Sequence, residues 1–376
     1  MPTHRILVTF ALLWPVAVLA QDVPPPEESP DAPPAEPARV PPPREPERPA
    51  WTPSLELSGY AQVHFRGHIE TNGDGRTTPD DFRVQRARIG IEGEVLRDVR
   101  YDIEVDPRPP EITGLLRDAF ISLDMIPHHR LRIGQQKTVF GYENLESSTE
   151  LYFVNRAEVS DSLSRGINLR DIGVGLLGRW GLGGGLRLEY ALQVVNGAGM
   201  NVQEDLTHEK NYWGRIGARY RRTGLRIWMG VSGGIGDQFE EEDPLDPTDD
   251  FTIEFRRVGF DLRVDQTWFF AAGEYAIGRE EVPDETATID GFYVMLVGKT
   301  PWDVGPMIRY DEGEEYYRLT FGAYYGEPTA PLRVLLNYEL REDDVGVHDH
   351  RYYGWVQVRF AEWVAGSARS DRSDQD

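Results

Sequence analysis

Residues 55–66 read Leu55-Glu56-Leu57-Ser58-Gly59-Tyr60-Ala61-Gln62-Val63-His64-Phe65-Arg66. Every odd position is apolar or small, and every even one is polar or tyrosine. Successive side chains of a strand point to opposite faces, so this segment has one oily and one wet face along its whole length. A strand that crosses a membrane within a closed barrel needs this pattern, with lipid outside and water inside. The alternation recurs in Phe82–Val95, Val99–Asp106, Leu115–Asp124, Arg130–Gln136, Asp171–Trp180, Leu186–Val195, Tyr212–Arg221 and Leu225–Ser232. It continues in Thr252–Val264, Thr267–Ile277, Thr288–Val297, Val304–Tyr310, Glu315–Tyr325, Leu332–Arg341 and His350–Phe360. The tally of about sixteen is an even number, as in bacterial single-chain barrels. The expected fold is all-β, a transmembrane antiparallel β-barrel.

The gaps support this arrangement. Counting from the first strand, every second gap is short, as at Leu96–Asp98, Met125–His129, Gly181–Gly184, Arg222–Gly224 and Asp265–Gln266. The intervening ones are mostly longer, and the longest, Thr138–Arg170, is the third external loop. Such a long connection is uncommon and usually functional. In sixteen-stranded porins the third loop commonly folds inward, which makes this stretch the expected constriction. Tyrosine pairs near strand ends (Tyr316-Tyr317, Tyr324-Tyr325, Tyr352-Tyr353) fit interfacial belts. A soluble sandwich of sixteen strands would be unusually large, and no repeat of fixed period suggests a propeller.

The flanks are different material. Residues 1–20 have Arg5 before an apolar run, Ile6 to Val18, and the small-residue site Val18-Leu19-Ala20, as in a secretory signal. That run is too short for a spanning helix, which needs about 20 residues. Residues 21–53 are dominated by proline with Glu, Asp, Arg and Ala, and cannot bury a core. They read as an extended periplasmic linker, with peptidoglycan contact as the functional alternative to a passive spacer. The barrel is expected over 54–360, followed by a polar tail, 361–376.

A mean hydropathy of -0.49 argues only against a helical membrane protein, because a barrel strand buries apolar residues at alternate positions. The net charge of -23 argues against a nucleic-acid partner, which needs a basic footprint. With 0 cysteines there is no disulfide framework, thiolate metal site or lipid-modified N-terminal cysteine. Lysine occurs only at Lys137, Lys210 and Lys299, so almost all positive charge is arginine.

Along the long insert and its flanks stand Gly134, Gln135, Lys137, Phe140, Gly141, Glu143, Ser147, Ser148, Phe153, Arg156, Arg170, Asp171, Ile172 and Gly173. In order and spacing they resemble the phosphate-selective porin O/P family, which carries G-Q-x-K-x-x-F-G-x-E…S-S…F…R…R-D-I-G there. Phe82-Arg83-Val84-Gln85-Arg86-Ala87-Arg88-Ile89-Gly90 resembles its F-R-x-R-R-A-R-x-G strand, with Gln85 in place of an arginine. Asn196-Gly197-Ala198-Gly199 resembles its N-G-x-G loop. The resemblance implies a trimeric outer-membrane barrel that passes anions such as phosphate along arginines. By matched position it nominates Arg86, Arg88, Arg132, Lys137, Arg156 and Arg170 for the ion path. Two departures bear on phosphate selectivity: the lysine cluster of the phosphate-specific members is missing, and Val139 stands where many relatives have proline.

The strand phase agrees in part. It turns Arg86 and Arg88 inward together with Arg100, Arg132, Arg219 and Arg263, and a guanidinium fork matches phosphate bidentately. It also turns Glu56, Asp102, Glu104, Asp118 and Glu339 inward, so a charge count does not decide selectivity. A weakly selective general porin, or a structural barrel tethered through its proline-rich segment, are the alternatives. No nucleophile–base pair suggests an enzyme and no cofactor is implied. Glu70 to Asp81 has some spacing of a calcium loop, yet Asp81 stands where glutamate belongs, and a polar hairpin loop is the better reading. His128-His129 and His348-Asp349-His350 are too sparse for a metal centre. Asp237 to Asp250 reads as a solvated acidic loop.

Overall fold

A computed structural model describes residues 52–70, 80–108, 115–163, 170–202, 209–240, 251–282, 285–313, 316–343 and 348–365. The strands are β1 (Ser54–Glu70), β2 (Asp81–Leu96), β3 (Val99–Val105), β4 (Leu116–Leu123), β5 (His129–Lys137) and β6 (Arg170–Gly183). Next come β7 (Leu186–Val195), β8 (Asn211–Arg222), β9 (Leu225–Glu240), β10 (Phe251–Gln266) and β11 (Phe269–Val282). The last are β12 (Glu285–Gly298), β13 (Val304–Glu312), β14 (Tyr316–Tyr325), β15 (Leu332–Asp343) and β16 (His348–Ala365). Each pairs antiparallel with its sequence neighbours, and β1 closes on β16. Closure leaves no strand edge, so every strand has a hydrogen-bonding partner on both sides, as a bilayer requires.

The burial pattern is inside-out relative to a soluble protein. On β10, Arg257 and Asp261 are buried, while Val258 and Phe260 between them and Leu262 after them are exposed. The same holds on β15, where Arg333 and Glu339 are buried and Leu336 is exposed. Exposed Trp180, Trp268 and Trp302 stand at the short-turn end, and Phe82, Tyr317 and Tyr338 near the long-loop end. These are the two aromatic belts of a membrane barrel.

Three features depart from the sequence reading. β16 runs past the expected end at Phe360 to Ala365, pairing Trp363 with Glu56 and Ala365 with Leu55. The Thr138–Arg170 insert contains a one-turn helix, α1 (Glu158–Ser162). Two of the strands nearest the insert are bulged. On β2 the register against β1 slips between Arg86 and Val84, leaving Gln85 unpaired; on β4 it slips against β3 between Asp118 and Leu116, at Arg117. A bulge lets consecutive residues break the strict alternation and re-aims their side chains.

The signal and most of the linker, most of the calcium-like loop, residues 241–250 of the acidic run and residues 366–376 of the tail lie outside the described residues. Among the described residues no cluster of three or more His, Asp or Glu is placed to hold a metal ion. His129 Nδ1 meets the Tyr190 hydroxyl at 2.8 Å, and His350 Nδ1 the Tyr338 hydroxyl at 2.7 Å.

Candidate functional site

The insert after β5 is fastened to inward-facing side chains around most of the barrel. Gly141 takes a φ of 69°, and a Cβ there would sit 2.2 Å from a Glu274 carboxylate oxygen on β11. That close approach lets the Tyr142 and Glu143 amides donate to Glu274 at 3.0 and 3.1 Å. Phe140 meets Trp213 of β8 edge to face, with ring centroids 5.7 Å apart. The Glu143 carboxylate accepts from the Ala157 amide at 2.7 Å and from Arg309 of β13 at 3.3 Å, tying two limbs of the insert to each other and to the wall. Arg309 also donates to the Asn155 carbonyl at 2.9 Å and to Asp311 at 3.0 Å. Asp311 in turn accepts from Arg318 of β14 at 2.8 Å and from the Glu158 amide at 3.1 Å. Further round, Arg333 of β15 donates to the Thr149 and Leu151 carbonyls, Asn337 accepts from the Val154 amide, and Gln62 of β1 donates to the Ser148 carbonyl. The insert therefore lies within the lumen, its backbone polar groups satisfied by wall side chains.

Several motif residues acquire a physical role from these contacts. The Gln135 amide donates to the Leu116 and Arg117 carbonyls at 3.0 and 2.8 Å, which the β4 bulge leaves off the ladder. Asp171 accepts from the Gly197 amide at 2.8 Å and so pins the Asn196-Gly197 loop, where Gly197 has a φ of 95°.

The cations fall into two groups. Arg88 is buried, with Glu104 at 2.8 Å and Asp106 at 3.5 Å. Arg170 is also buried and holds Asp118 through three contacts of 2.7 to 3.1 Å. Lys137 donates to three carbonyls of the insert, Asn144 at 3.0 Å, Leu145 at 3.1 Å and Glu146 at 2.7 Å. An ammonium has three protons, and all three are thereby used. In the second group no carboxylate among the described residues lies within ion-pair distance. Arg86 donates to the Gln62 amide oxygen at 2.9 Å. Arg156, on the insert, donates one hydrogen bond, to the Glu146 carbonyl at 3.1 Å, and its Nη1 has no partner. Arg132 stands over the Phe120 ring at 4.7 Å, and its Nε is unbonded. Arg86, Arg88 and Arg156 are within electrostatic reach of one another, as are Lys137, Arg88, Arg156 and Arg170.

Below the insert lies a cavity of about 910 Å³, lined from β3 round to β10 and roofed by Val139, Tyr142 and Leu145. Arg132 and Lys137 border it, with Asp102 and Asp118 on one side and Arg215, Arg219 and Arg263 on the other.

The family described as phosphate-selective porin O and P matches residues 60–214, from within β1 to the start of β8. The barrel superposes on the anion-selective porin from Comamonas acidovorans with a TM-score of 0.57 at 10% identity, covering 82% of this chain and 100% of that one. The chain has the fold of an outer-membrane porin. The trimer form of OmpT, an outer membrane protein of Vibrio cholerae, gives a TM-score of 0.56 at 10% identity, covering 82% of this chain and 99% of that one. The outer membrane channel DcaP of Acinetobacter baumannii gives 0.54 at 14% identity, covering 82% and 97%. No curated protein matches this sequence.

Of the residues nominated by sequence, five gather round the insert, and Arg132 lies in the cavity below. Arg117 was missed. It is buried, 3.9 Å from Asp106, and shares that carboxylate with Arg88 and Arg108. The signal was present, since Arg117-Asp118 places two charges in succession within an alternating segment and so marks a bulge.

Two carboxyls of the insert titrate near neutrality. Burial raises Glu146 to about 6 against the opposing pull of Arg263, with Glu150 adding to the rise and Lys137 and Arg156 lowering it. Burial and Glu143 raise Asp161 to about 6, against Arg156 and Arg318. Both are mostly ionised at pH 7.5 and neutral at pH 5, so acidification removes negative charge beside Arg156. Anion over cation permeability is expected to rise roughly twofold or more over that interval. The Glu146→Gln/Asp161→Asn double variant should start from a higher ratio and show a smaller rise than the wild type, as read by reversal potentials.

Proposed function

We propose that this porin is a passive channel for small anions, phosphate among them, with its constriction between the insert and the β2 wall. Arg86 and Arg156 are the groups an anion meets, exchanging part of its hydration for guanidinium hydrogen bonds. One observation carries this reading: among the described residues these two guanidiniums have no carboxylate partner, whereas Arg88 and Arg170 beside them are neutralised by Glu104, Asp106 and Asp118. A charge already paired offers little net field, and one left unpaired in a partly desolvated pore attracts an anion and repels a cation. Arg88, Arg170 and Lys137 hold the wall and the insert in place, and Arg132 receives the ion below. The same contacts suit a homotrimer no less than a monomer. The trimer rests on the family resemblance, as does phosphate as a solute.

The test is the reversal potential of the purified protein in a planar bilayer under a potassium chloride gradient. An anion-selective potential supports the reading. A potential near zero or cation-selective overturns it in favour of a weakly selective porin, a reading that the inward Asp102, Glu104 and Asp118 on the cavity wall would then explain.

Lys137 gives a separate prediction. Replacement by methionine or by arginine should raise open-channel current noise, because neither side chain directs three N–H groups at the Asn144, Leu145 and Glu146 carbonyls. Unchanged noise in both variants would show that the insert turn is held without it.

A further inference from the structure

The cavity beneath the insert is built for more than inorganic ions. Its arginines rest on aromatic rings. Arg132 lies 4.7 Å from the Phe120 centroid and Arg219 lies 5.2 Å from that of Trp228. Arg263 stands 4.0 Å from the Tyr142 centroid and 4.9 Å from that of Trp228. A ring holds a guanidinium by its quadrupole without neutralising it, so the N–H edges stay available. Among the described residues Arg132 and Arg219 have no carboxylate within ion-pair distance, Arg263 pairs with Glu146 at 3.3 Å, and the Nε of both Arg132 and Arg263 is unbonded.

Two further observations concern the same cavity. The half-buried Leu145 and Leu177 line it beside the buried Val139; Leu177 faces inward on β6, directly after the outward-facing Leu176, and packs against the buried apolar cluster with part of its surface left to the cavity. Apolar surface facing a water-filled lumen is unfavourable and serves no purpose for a hydrated inorganic ion, whereas a carbon skeleton would cover it favourably. Gln136 is 2% exposed, lines the cavity, and neither of its amide atoms has a partner. A buried amide that is unsatisfied within the protein can be satisfied by a ligand.

We propose that this cavity is a binding station for small organic anions carrying a flat ring. The carboxylate or phosphate of the solute is held by Arg219 and Arg263, its ring lies against Leu177 and Val139, and Gln136 takes a polar substituent. The volume of about 910 Å³ is in the range of organic-ligand sites. This rests on the channel reading for access, but not on the selectivity assigned to Arg86 and Arg156.

The experiment measures block of potassium chloride current in planar bilayers by matched pairs of probes, benzoate against acetate and phenyl phosphate against inorganic phosphate. In the wild type, the ringed member of at least one pair is expected to block at a concentration lower by about tenfold or more. Leu177→Ser, which changes no charge, should bring that ratio close to one while leaving the reversal potential in potassium chloride alone unchanged. Arg219→Gln should weaken both members of the pair. If Leu177→Ser does not insert, Leu177→Ala makes the same comparison. Ratios near one for both pairs in the wild type, or a ring preference that survives loss of Leu177, would overturn the proposal. A ring preference lost with Leu177 in a channel that is not anion-selective would uphold this station and reject the role given to Arg86 and Arg156.

Discussion

Replacing Arg86 and Arg156 together by glutamine is expected to lower the chloride-to-potassium permeability ratio by at least about tenfold, moving the reversal potential to zero or into the cation-selective range. A unit charge about 4 Å from a guanidinium interacts by about 4 kcal/mol at an effective dielectric constant of about 20. Dehydration offsets much of that for an entering anion, but a cation meets both terms as a barrier. Glutamine keeps hydrogen-bonding capacity at both positions, for the Gln62 amide oxygen and the Glu146 carbonyl, so the change is mainly one of charge. The control is Arg88→Gln. There the lost charge is one already matched by Glu104 and Asp106; Asp106 keeps Arg108 and Arg117, while Glu104 is left with Arg170 at 3.9 Å. Its effect on selectivity should run the same way through the exposed acids, and it should also lower thermal stability. The Arg86/Arg156 double variant should shift selectivity with little change in melting temperature. If instead the double variant keeps the wild-type potential, the two unpaired guanidiniums are not what an anion meets.

The second large effect concerns the insert rather than the ion. Arg309→Ala is expected to destabilise the folded channel by about 3–5 kcal/mol, the usual cost of removing one partner from a buried charge network. Arg309 is fully buried, and its removal leaves Glu143 without its cation and Asp311 with only Arg318, while the Asn155 carbonyl loses its donor. Because those groups fasten the insert, the barrel should close while the insert comes away from the wall. The expected record is a larger and noisier conductance with a lower unfolding temperature. Arg309→Lys should recover little, since one ammonium cannot reach Glu143, Asp311 and two backbone carbonyls in the geometry a planar fork provides. A quiet channel of wild-type conductance in Arg309→Ala would mean that the Glu274, Arg333 and Asn337 contacts suffice.

The alternation of residues 55–66 and its recurrences located all sixteen strands, with ends within about five residues except on β9, which runs eight residues past Ser232, because side-chain alternation is a local property with a period of two. The rhythm of short and long gaps did the same for the two ends of the barrel. The strands extend furthest beyond the reading at their ends, as in β9 (Leu225–Glu240) and β16, where polar and aromatic residues outside the oily band still pair. The motif in the insert was legible as a pattern, but its purpose was not. Phe140, Gly141 and Glu143 are conformational and anchoring residues whose partners, Trp213, Glu274 and Arg309, lie far along the chain.

What the sequence determined by itself, then, is the barrel, its strand count, the inward face of the strands that carry alternating charges and the length of the third loop, all consequences of local periodicity. Tertiary structure alone decided which cations are free. Arg86 and Arg88 are two residues apart on one strand and look alike in sequence. Arg88 faces Glu104 and Asp106 at the β3 edge, and Arg86, set off by the Gln85 bulge, faces the neutral Gln62. Lys137, a cation by sequence, spends its protons on backbone carbonyls that reach it only once the insert folds back. Whether a charge acts on a passing ion depends on its partners, and in a closed barrel those partners are set by register and by the fold of a loop, which no period in the sequence encodes.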